Sequence, residues 1–175
     1  VLSGVASAQR TAPVRKPPAQ VDDTPPATKQ AIDNAIRLLE QRDFAGAEAE
    51  ARNAVKLSPR SAVAFNVLGI VLDEQGKSAD ALTAFSTAIK LAPTFISPKN
   101  NLGRLLANQG KLAEALAQFE AVLKIEPTHL QARYNAAAIY AETSKFDKSA
   151  EYFALLLKAN PADLQLSMAF LNVAY

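Results

Sequence analysis

Apolar residues fall along this chain in short stripes at helical spacing. Phe65, Leu68 and Leu72 lie three and four positions apart, and Leu82, Phe85 and Ile89 do so again shortly after. Such spacing puts side chains on one face of an α-helix. Gly76 stands between these two stripes and Gly110 between the next two. A glycine there breaks the helix and permits a turn, so each pair of stripes predicts a helical hairpin.

The hairpins repeat. Pro59, Pro93, Pro127 and Pro161 are 34 residues apart, and Phe85, Phe119 and Phe153 keep the same interval. Leu68-Gly69 returns as Leu102-Gly103, and Gln75-Gly76-Lys77 as Gln109-Gly110-Lys111. A period of this size marks a stacked solenoid. Each proline stops its second helix, because it has no N–H and clashes with the preceding turn. Small residues, Gly69 with Ala81 and Gly103 with Ala115, let the two helices of a hairpin approach closely. One hairpin cannot bury both faces, so neighbours must stack.

A 34-residue unit with a large residue, Leu-Gly, a second large residue, Ala, an aromatic and a final Pro resembles the tetratricopeptide repeat. The unit 62–95 fits best, with Phe65, Leu68-Gly69, Leu72, Ala81, Phe85, Ala88 and Pro93. The unit 96–129 departs at Lys99 and Val122. The unit 130–163 replaces Gly by Ala137 and alanines by Ser149 and Leu156. The unit 28–61 is weakest, with Asn34-Ala35 in place of Leu-Gly. The resemblance implies an all-α solenoid of four repeats over 27–175, with a partial fifth at 164–175. Residues Leu166, Phe170, Leu171 and Tyr175 read as the first helix of that further unit.

Local signals refine the helix ends. Ser97-Pro98 reads as an N-cap followed by proline at the first helical position. Thr128-x-x-Gln131 reads as a capping box. Glu120 and Lys124 read as an i,i+4 ion pair on an outer face.

Residues 1–26 are different. Ala6-x-Ala8 has the small-x-small pattern of a signal-peptidase site, so the first residues read either as the tail of an export signal or as an unstructured leader. Pro13, Pro17, Pro18, Pro25 and Pro26 follow without a hydrophobic period. That stretch reads as an extended spacer. The export reading would place the protein in the periplasm or outside the cell, and the other reading in the cytoplasm.

Composition narrows the chemistry. The chain is 49% hydrophobic but has 7% aromatics, no Cys and one His. A structural zinc site needs clustered ligands, so no metal and no cofactor is expected. His129 sits at a repeat junction, where a turn residue is the plain reading. The near balance of 19 basic and 17 acidic residues argues against nucleic acid as partner. No run of about 18 apolar residues suggests a membrane span.

The resemblance implies that the first helices line a concave groove and that the groove binds a protein or peptide. Three rows recur on those helices: Ile32, Asn66, Asn100, Tyr134; Ile36, Ile70, Arg104, Ala138; and Glu40, Glu74, Asn108, Glu142. Spacing by four within each helix puts them on one face. Asparagine offers both donor and acceptor, Tyr134 an amphipathic anchor, and Arg104 a carboxylate fork. Some family members clamp a chaperone C-terminal carboxylate with Lys, Asn and Arg. The matching positions here, Asn66, Ile70, Asn101, Gln131 and Asn135, hold no basic residue, which disfavours that ligand. The chain therefore reads as a non-catalytic scaffold. The alternatives are the repeat region of a larger enzyme (a glycosyltransferase, peptidase or kinase) and a component of an envelope assembly or secretion machine. Apolar ends, Ile36 and Leu39 on one side and Phe170 and Leu171 on the other, would also let copies associate.

Overall fold

The computed structural model describes residues 24–174. The export-signal reading and most of the proline-rich tract lie outside the described residues. Among these there are nine helices and no strand: α1 (Pro26–Glu40), α2 (Phe44–Leu57), α3 (Ala62–Glu74), α4 (Ser78–Leu91), α5 (Ile96–Asn108), α6 (Leu112–Ile125), α7 (Leu130–Glu142), α8 (Phe146–Ala159) and α9 (Leu164–Ala174). Pro26, last of the proline tract, is the first residue of α1. Its missing N–H is one that a helix start leaves unpaired anyway.

Consecutive helices pack as hairpins, and each hairpin packs on the next. Phe85, Phe119, Leu72 and Leu105 are fully buried between them. The close approach expected at Gly69 is real. A Cβ built there would lie 2.6 Å from two ring carbons of Phe85, and one at Gly103 would lie 2.8 Å from Phe119. In the fourth unit Ala137 occupies that register, and buried Ser149 donates its hydroxyl to the Ala137 carbonyl at 2.8 Å. That bond satisfies the one polar group the substitution brings inside.

The turns within hairpins close in one way. Gly76 and Gly110 both have φ of 73°. The amide of Lys77 reaches back to the Leu72 carbonyl at 2.9 Å, a left-handed helix stop. In the first and fourth units Arg42 (φ 61°) and Ser144 (φ 57°) hold the same position, so the repeat imposes the conformation where no glycine provides it.

Three local expectations are corrected. Helix α5 starts at Ile96 with Phe95 as N-cap, so Ser97 is not the cap and Pro98 is third in the helix. Proline is tolerated there because the first four helical N–H groups have no intrahelical acceptor. Helix α7 is capped by His129, whose Nδ1 accepts from the Ala132 amide at 3.1 Å. Thr128 lies one residue too early for a capping box. Glu120 forms no pair with Lys124; its Oε1 accepts from the Tyr140 hydroxyl at 2.6 Å. A half-buried carboxylate gains more from a buried phenol of the next hairpin than from an exposed ammonium on its own helix.

Polar bonds also tie hairpins together. Gln75 Nε2 donates to the Phe44 carbonyl at 2.8 Å, and Lys77 pairs with Glu48 at 2.7 Å. At the far end Phe170 and Val173 of α9 pack on Ala137, Phe153 and Leu156, as the first helix of a following unit would.

Candidate functional site: the inner face

Among the first helices α1 touches α3 and α3 touches α5, while α5 on α7 and successive second helices meet slightly or not at all. The stack therefore curves toward α1, α3 and α5. The three predicted rows lie on these helices and on α7.

The structure distinguishes among the residues in those rows. Tyr134 is 43% exposed, and its ring rests edge-on against Phe153 at 5.9 Å. That contact fixes an aromatic side chain while leaving one surface free. Arg104 is half exposed and sits 3.4 Å from the Asp73 carboxylate of the preceding repeat. Burial raises the Asp73 pKa and Arg104 lowers it, with burial the larger effect. The contact is long and the guanidinium itself is half exposed, so it is available to another carboxylate. Glu74, Asn108, Ala138 and Glu142 are exposed along the same side, whereas Ile70 is half-buried against the core.

Asn66 stands apart. It is buried, and its Oδ1 accepts from Asn101 Nδ2 at 3.1 Å. Its hydrogen-bonding capacity goes largely into joining α3 to α5. One repeat further on, the equivalent pair is Asn100 and Asn135. Here Asn100 Oδ1 and Asn135 Nδ2 are both buried and make no hydrogen bond among the described residues. Asn135 Oδ1 is already taken by Gln131 at 3.2 Å. Sequence reasoning placed Asn100 in a row but gave Asn135 no part in binding. The signal was present in the sequence: Asn66 to Asn101 and Asn100 to Asn135 are both steps of 35 residues.

An open groove of about 1080 Å³ also lies at the α1 end, lined by Thr24, Lys29, Ile32, Val63 and Leu91 among others. It reaches one row residue, Ile32, and lies away from Tyr134 and Arg104. Among the described residues no group of three or more His, Asp or Glu side chains could hold a metal ion.

The helical hairpins, their 34-residue period and their packing define an α-solenoid. The Tetratricopeptide repeat family matches residues 32–94 and 100–163, and the chain belongs to that family, whose repeats mediate protein–protein interaction. No curated protein matches the chain significantly. Several solved structures share its fold. The MamA 41-end structure from Desulfovibrio magneticus RS-1 is 18% identical, with a TM-score of 0.73 over 86% of this chain and 91% of that one. The pilF protein of Pseudomonas aeruginosa is 20% identical, with a TM-score of 0.77 over 85% and 68%. A thermophilic TPR protein of Thermus thermophilus, TTC0263, is 21% identical, with a TM-score of 0.69 over 84% and 81%. At these identities the likeness is one of fold.

Proposed function

We propose that this chain is a non-catalytic docking scaffold that binds a peptide or protein segment along the inner face of α3, α5 and α7. The observation that carries the reading is the exposed Tyr134 ring, held edge-on against Phe153, together with the half-exposed Arg104 guanidinium on the preceding first helix. An aromatic surface and a cation are both residue types that anchor interfaces.

Affinity capture with residues 24–175 as bait tests this, with Arg104→Ala/Tyr134→Ala as control. Truncating two anchors of this kind weakens binding by about 2 kcal/mol or more in total, roughly thirty-fold, with helicity unchanged. A partner retained equally by bait and control removes the inner-face assignment.

A further inference from the structure

The turns that lead from each second helix to the next first helix carry a pattern unrelated to the inner face. Lys56-Leu57, Lys90-Leu91 and Lys124-Ile125 are the last two residues of α2, α4 and α6. They are 34 residues apart, so stacking aligns them along one edge. Lys158 of α8 continues the row, with Ala159 in the aliphatic place. All four lysines are exposed. None makes an ion pair among the described residues. Leu57 is 46% exposed, Leu91 36% and Ile125 42%, and Val63 and Leu130 protrude on the same edge. Stretches 54–65, 88–99 and 122–133 carry Lys56, Arg60, Lys90, Lys99, Lys124 and Arg133 against one acid, Glu126, while Asp33 and Asp163 stand at the two ends of the edge. The opposite edge has no such bias. Stretch 71–81 carries Asp73, Glu74 and Asp80 against Lys77.

A lysine in the last turn of a helix is favoured by the helix dipole, which accounts for one charge at each end. It does not account for an exposed aliphatic side chain beside each lysine, which leaves apolar area in water. Nor does it account for the scarcity of acids on this edge alone. An ammonium next to a protruding aliphatic tip suits a surface that offers phosphate with hydrocarbon just beneath it. A phosphate polymer would neutralise the lysines but leave the tips in water. We propose that the edge formed by Lys56-Leu57, Lys90-Leu91 and Lys124-Ile125 docks on an anionic lipid bilayer, with the lysines on the headgroups and the aliphatic tips in the headgroup boundary. This goes beyond the inner-face reading, since none of these residues belongs to the three inner rows.

Co-sedimentation of the chain with vesicles tests the proposal, comparing phosphatidylcholine containing phosphatidylserine with pure phosphatidylcholine. The chain is expected to pellet with the anionic vesicles only, and less as salt screens the charges. Each lysine near a charged bilayer contributes about five-fold in partition. Lys56→Gln/Lys90→Gln/Lys124→Gln should therefore lower binding by roughly a hundred-fold. Leu57→Ser/Leu91→Ser/Ile125→Ser keeps the charge and should also weaken vesicle binding, yet leave retention on heparin unchanged. Both variants alter exposed residues, and circular dichroism checks that the helices persist. Three results would overturn the proposal: the chain staying in the supernatant with both vesicles, the lysine variant pelleting like wild type, or retention by heparin or RNA with no vesicle binding.

Discussion

Gly69→Ala adds one methyl group at the tightest point between α3 and α4. The new Cβ would sit 2.6 Å from Cδ1 and Cε1 of Phe85, well inside van der Waals contact. Phe85 is fully buried, so its ring cannot swing into solvent and the helices must move apart. Overpacking of this kind costs about 1–3 kcal/mol. Alanine returns about 1 kcal/mol in helix propensity over glycine, leaving a net loss of roughly 0–2 kcal/mol. Gly69→Leu brings more atoms to the same place and should lose about 3 kcal/mol or more. Urea denaturation followed by circular dichroism measures both, read as the midpoint of the main transition because repeat arrays need not unfold in one step. Combining Gly69→Ala with Phe85→Leu removes the ring that clashes, so the two changes should cost less together than their sum, by about 1 kcal/mol. Two outcomes would refute the reasoning: Gly69→Ala gaining the full propensity increment, or a double variant that is simply additive.

Two further predictions follow from the turns and the ion pairs. Ser144 is held at φ 57° with no side-chain hydrogen bond among the described residues, so Ser144→Gly should gain about 1 kcal/mol and raise Tm by about 2–4 °C; Arg42→Gly should gain less, because Arg42 also lies over the Phe44 ring at 5.5 Å. The hydrogen bond from Lys77, followed by that from Arg52, lowers the Glu48 pKa from 4.5 to about 2. A depressed carboxylate pKa adds stability that is fully present above 4.5 and is lost as pH falls toward 2, so thermal melts should show wild type losing more Tm across that window than Glu48→Gln.

The repeat was legible because its signals are local and recur: four prolines at one interval, Leu-Gly twice, and an aromatic three times in register. Caps were less legible. Whether Thr128 or His129 begins α7 depends on which backbone turns extended one residue before the helix, and both side chains can accept a hydrogen bond. Arg42 and Ser144 gave no warning of positive φ, since neither residue favours it; the packing of the hairpin imposes it. The Glu120–Lys124 expectation failed because it weighed one helix alone, and the stronger partner, Tyr140, belongs to the next hairpin. On the first helices the helical period put Glu74, Arg104, Asn108, Tyr134 and Glu142 at exposed positions, but not Asn66 or Ile70. It could not foresee that Asn101 would occupy Asn66, or that one repeat later Asn135 would accept from Gln131 instead. Those outcomes depend on side-chain positions across a packed interface.

The central claim is that a protein partner lies along the inner face, and site-specific photocrosslinking tests it most directly. A benzophenone side chain replaces Tyr134 on the inner face in one variant and Thr83, exposed on α4, in another. Each is irradiated with the captured partner. The account predicts a covalent adduct from position 134 and none from position 83. An adduct from position 83 with none from position 134 would contradict it.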